Sequence, residues 1–159
     1  MFESLTRFIP LLDREGDFGV RVVDHEHAGT VDDPICFPFV EYNRTVSALE
    51  SSIMSFVDNH PELCLTRYAD ILERAGLEWG SESMEGTDVS ALDGKTVMAL
   101  LVGAVRAERF CDGALLGFLE SGCIGRWLQR LRQIDEGMGA GKTLNTYCSE
   151  CDREGQLGE

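Results

Sequence analysis

A chain of 159 residues with 28 acidic side chains against 14 basic ones carries a formal charge of −14, a field that repels nucleic acid and anionic lipid and attracts basic proteins. With 43% hydrophobic residues it has enough apolar material for one compact domain. The opening apolar stretch Phe8-Ile9-Pro10-Leu11-Leu12 is far short of the roughly 20 residues of a membrane span, and a cytoplasmic protein is expected.

The elements follow in order. Leu5 to Leu12 reads as a short helix entered through Ser4 and bent or ended by Pro10. Residues 18–23 and 35–40 are β-branched and aromatic runs around a polar loop, predicting a small hairpin whose second strand Pro34 and Pro38 confine to an edge. From Asn43 to Asp58, Val46, Leu49, Ile53, Phe56 and Val57 repeat at helical spacing. A second amphipathic helix carries Leu65, Tyr68, Ile71, Leu72 and Ala75 and stops at Gly76. Residues 77–92 read as a long surface loop with Glu78, Glu82, Glu85 and Asp88 and no base. Asp93 caps a core helix running to about Phe110, Asp112-Gly113 breaks it, and a short helix from Ala114 to Glu120 follows. Gly122 caps that helix, and Ile124, Trp127, Leu128 and Leu131 mark a last amphipathic helix ending near Asp135. The expected fold is mainly α: one compact helical domain over 1–135 with a small N-terminal β-hairpin, then a flexible Gly-rich, acidic tail over 136–159.

The densest polar cluster is Arg106, Glu108, Arg109 and Asp112. At helical spacing these two bases and two acids share adjoining faces, which suits either a ligand site or a set of structural ion pairs. The stretch from Phe39-Val40-Glu41-Tyr42 through Tyr68 to Glu73, Arg106 to Gly113 and Gly122-Cys123-Ile124 resembles a family of small bacterial proteins known only as a domain of unknown function. The resemblance covers about residues 37 to 134 and is most specific at R-x-E-R-F-C-D-G-x-L, here Arg106 to Leu115. It implies a compact helical domain and no assigned activity.

Other motifs fall short. Gly137 to Thr143 has three residues, where a phosphate loop needs four, between its first glycine and Gly-Lys-Thr. Cys148 and Cys151 have the spacing of half a zinc ribbon without a second pair, and His25 and His27 fall in the hairpin loop. No metal and no cofactor are expected, and without a secretory leader the six cysteines read as reduced thiols. Twelve arginines beside two lysines suit internal pairing with carboxylates.

The leading expectation is a non-enzymatic module presenting Asp70, Glu73, Glu78, Glu82, Glu85 and Asp88 to a basic, nucleic-acid-binding protein as an inhibitor or regulator. The alternative is a small-ligand protein or enzyme centred on Arg106, Glu108, Arg109 and Asp112. A third reading is a helix-turn-helix around Gly122, with Arg126, Arg130 and Arg132 facing phosphates. Against it, residues 95–135 sum to only +2 and the rest of the chain to −16. The length and charge leave a homo-oligomer open.

Overall fold

A computed structural model describes residues 1–137. The tail from Met138, with Lys142-Thr143, Cys148 and Cys151, lies outside the described residues. The architecture is mainly α with an N-terminal two-stranded antiparallel hairpin. Where one opening helix is expected there are two single turns, α1 (Glu3–Thr6) and α2 (Ile9–Leu12). Pro10 falls in the first turn of α2, where its missing N–H has no helical partner to lose. Residue 2, not Ser4, precedes α1, and no side chain caps it. Phe2, Leu5, Phe8, Ile9 and Leu12 are all buried, so the two turns act as one apolar cover.

Strand β1 (Gly19–Val22) pairs with β2 (Phe39–Tyr42) in the register Gly19↔Tyr42 to Val22↔Phe39. The second strand therefore lies C-terminal to its expected position. Pro38 has no N–H for a ladder, so pairing begins after it. A Cβ at Gly19 would stand 2.9 Å from the Glu41 carbonyl oxygen, so the close crossing requires glycine there. The connection between the strands is organised by the Asp24 carboxylate, which accepts from the amides of Cys36 (2.8 Å), Glu26 (3.0 Å) and His27 (3.2 Å). These backbone donors, Cys36 foremost, hold Asp24 well below the usual carboxylate range.

Helix α3 (Arg44–Asn59) begins where the Asn43 side chain accepts from Val46 N at 2.9 Å and buries the expected stripe. A tight turn at Leu65–Arg67 leads into α4 (Tyr68–Arg74), shorter than expected, and Gly76 ends it at φ +75°. Then come α5 (Ser81–Glu85), a tight turn at Val89–Ala91, α6 (Gly94–Ala107), α7 (Ala114–Glu120) and α8 (Cys123–Asp135). Asp93 caps α6 by accepting from Thr96 N at 2.8 Å. Helix α6 is buried from Thr96 to Val105 and forms the axis of the core, with Phe118 and Trp127 packed 5.6 Å apart between α7 and α8. Each such side chain taken fully from water stabilises the fold by about 1.5–3 kcal/mol. No helix among the described residues is long and apolar enough to cross a membrane.

One expectation about side chains is corrected. Among the described residues Arg67 meets Asp70 at 2.7 Å, Arg126 donates to the Glu85 carbonyl and Arg130 to that of Leu92. These carbonyls stand where helix ends or turns leave acceptors without helical donors. Cys36, Cys111 and Cys123 are free thiols as read from sequence, whereas Cys64 is disulfide-bonded.

Candidate interaction surface

Residues 77–92 are not a loose loop. Met84 on α5 is fully buried, and Trp79 lies across α6, its indole N–H donating to the Gly103 carbonyl at 3.3 Å. A Cβ at Gly103 would stand 3.2 Å from Met84 Cε and 3.3 Å from Trp79 Cδ1, so this bare helix position is what lets the segment settle. The Trp79 ring meets Tyr68 edge-on at 5.7 Å on one side and Phe110 at 5.8 Å on the other. The aromatic row ties α4, the 77–85 segment and the end of α6 together.

The acidic side chains are thus mounted on an ordered surface. Glu73, Glu78 and Glu82 are exposed and Glu85 is half-buried. Among the described residues none of these four carboxylates forms a side-chain hydrogen bond or ion pair. Asp70 and Asp88 differ from them. Asp70 is paired with Arg67, and Asp88 caps the turn at Val89–Ala91 by accepting from Ser90 N at 2.9 Å. That amide lowers the Asp88 pKa from its ordinary value. Of the six acids read as an interaction surface, four have no such partner among the described residues.

Beside them lies a groove of about 420 Å³ between α5, the end of α6 and α7, walled chiefly by Trp79, Met84, Ala107, Phe110, Ala114 and Phe118. A shallow recess lined by Glu78, Glu82 and the serines of 81 and 83 adjoins it, and Trp79, Gly80 and Ser81 line both. Apolar cleft and carboxylates are therefore one continuous surface. Trp79 is 41% and Phe110 77% exposed, the latter far above what a core aromatic shows. Sequence reading missed both. A lone tryptophan amid Gly, Ser and Glu, and a glycine in the middle of an apolar helix, were the available signals.

The Arg106–Asp112 cluster resolves differently. Glu108 turns back over α7, accepting from Gly113 N and Leu115 N, each at 2.9 Å. It supplies the cap that Gly113, at φ +86°, cannot. Tyr42 of β2 accepts from Leu116 N at 3.1 Å, and its hydroxyl also bonds Glu108. Burial first, and then the Glu108 carboxylate, push the Tyr42 hydroxyl well above its ordinary pKa. Arg21 of β1 packs on Gly113, its guanidinium 2.6 Å from where a Cβ would sit. Glu108 is therefore a staple between hairpin, α6 and α7. Arg106 and Arg109 edge a small recess of about 160 Å³ shared with Glu50, Met54 and Glu108, and neither is ion-paired among the described residues. Asp112 is exposed.

The other candidates are placed as follows. His27 Nδ1 lies 2.8 Å from Asp24 in the strand connection. Arg130 is 5% exposed and turned to Leu92, so it does not face outward from α8 as a helix-turn-helix reading needs, whereas Arg126 and Arg132 are at the surface. Among the described residues no three His, Cys, Asp or Glu side chains converge as metal ligands.

Residues 68–137 match a family described as a family of unknown function (DUF6508). The matched segment includes Trp79, α5, Phe110 and α7, hence every wall of the groove. No curated protein and no solved structure matches the chain.

Proposed function

We propose that this protein is a non-enzymatic interaction module that presents Glu73, Glu78, Glu82 and Glu85 to a basic protein of the bacterial cytoplasm. It inhibits or regulates that partner by occupying arginines and lysines that would otherwise hold nucleic-acid phosphates. The observation that supports this is a group of four carboxylates, unpaired among the described residues, on a folded surface within a chain of charge −14. Carboxylates without internal partners keep their hydration and their field. Such a field speeds encounter with a basic partner and selects against acidic ones. Catalysis at the Arg106 cluster is less well supported, because its candidate proton carrier, Glu108, already accepts two amides and the Tyr42 hydroxyl.

The test is affinity retention from bacterial cytosol on the full tagged chain, washed at low and then high salt, beside a Glu78→Gln, Glu82→Gln, Glu85→Gln variant. A basic nucleic-acid-binding protein held by the wild type at low salt, released at high salt and lost by the variant is the expected result. Equal retention by both chains would overturn the reading.

A further inference from the structure

We infer that the Trp79–Phe110 groove is the anchor site for the partner's basic segment, taking one or two large apolar side chains while flanking lysines or arginines lie on Glu78, Glu82 and Glu85. This rests on the acidic-surface reading above and adds what that reading lacks, a source of specificity.

Three observations carry it. First, groove and carboxylate recess share Trp79, Gly80 and Ser81, so a single short segment reaches both. Second, Phe110 stands 77% exposed at the rim, edge-on to Trp79. Aromatic rims around an apolar floor are what buried anchor side chains engage.

Third, Gly117 lies on the groove wall in the interior of α7, and a Cβ there would meet nothing within 4 Å. Glycine in a helix interior costs about 1 kcal/mol relative to alanine. Gly103 and Gly113 each have an internal reason for lacking a side chain, one a close approach and the other a left-handed backbone. At Gly117 the space a side chain would fill is the groove itself, so the glycine keeps the groove open.

Charge selects the occupant. A second copy, at −14, and the chain's own residues 136–159, at −3, both have the wrong sign for a surface lined by Glu78, Glu82 and Glu85. A segment rich in lysine or arginine with apolar anchors has the right one.

The experiment is selection of a random-peptide display library on the full chain at low salt, followed by titration of the enriched peptides against three variants. Gly117→Leu fills the groove and Phe110→Ala removes its rim; both change positions with room or exposure, so folding is retained. The third variant is the triple Glu→Gln chain. Enriched peptides combining basic residues with a large apolar residue, weakened about tenfold or more by Gly117→Leu and by Phe110→Ala, are expected. Basic peptides without an apolar anchor, indifferent to Gly117→Leu, would overturn the groove inference and leave the acidic surface standing. Apolar peptides without basic residues, indifferent to the triple variant, would overturn the acidic surface and this inference's choice of occupant. No enrichment over the variants would overturn both.

Discussion

Residues 106–115 and residues 73–85 both concentrate charge, and the fold uses them in opposite ways. In the first region Glu108 is drawn inward, accepting from the amides of Gly113 and Leu115 and bonding Tyr42. In the second, Glu73, Glu78, Glu82 and Glu85 have no partner among the described residues, and the last three adjoin an apolar groove. The difference teaches that density of charge in sequence does not mark a site. What separates the two is that Glu108 precedes the glycine break by five residues, so that the chain folds its carboxylate back onto the amides beyond the break. The start of α7 follows a left-handed glycine and has no capping side chain of its own, so it captures the nearest carboxylate. The start of α5 likewise has no capping side chain, yet Glu78 and Glu82 stay at the surface and make no side-chain hydrogen bond among the described residues.

The sharpest way to break this comparison is Glu108→Ala, which orphans two amides and a hydroxyl. A loss of about 3 kcal/mol by urea denaturation is expected, with binding of a basic peptide unchanged at temperatures where the chain stays folded. A stable variant with lost binding would return the cluster to candidate-site status. Alkaline pH probes the same staple. The Tyr42 pKa is raised in the fold above the unfolded value of about 10, so its contribution is complete below that value. The contribution is lost as pH rises past about 10 and through the folded value, because the unfolded chain gives up the proton first. Stability measured in steps above pH ~9 should therefore fall, and Tyr42→Phe should flatten that fall.

On the other side of the comparison, Gly117→Ala should raise stability by about 1 kcal/mol in a thermal melt, since nothing crowds the new methyl group. A decrease would mean that Gly117 has an internal role. Smallest of all, the triple change of Glu78, Glu82 and Glu85 to glutamine should alter stability by less than about 0.5 kcal/mol. The same variant should show the largest change in salt-dependent binding.

Much of the helical half was legible in sequence because its signals are local. Asp93 at the start of α6, Ala114 to Glu120 for α7, and the apolar stripe from Val46 to Val57 stand where periodicity and capping put them. The errors arise where distant contacts decide. Residues 77–92 look like a loop until Trp79 finds Gly103, a contact 24 residues away, and β2 starts only after Pro38, with Phe39 paired to Val22 seventeen residues before it. The acidic residues were legible as a set by composition alone. Which of them are free was not, since Asp70 and Asp88 are engaged through partners that only the folded backbone supplies. The groove was invisible because its walls come from three helices whose packing no single window of sequence contains.

The buried Phe2 at the start of α1 ties together helices far apart in sequence. Phe2 N donates to Asp135 Oδ2 at 2.6 Å across a separation of 133 residues, and the Phe2 ring fills the space left by Gly94 at the start of α6. The Phe2 ring also stacks on Phe56 of α3 at 5.5 Å, so α1 bridges α3, α6 and α8. A contact closed over so long a loop is the kind that slows folding, and it sets this seat apart from the local pairings of the other helices.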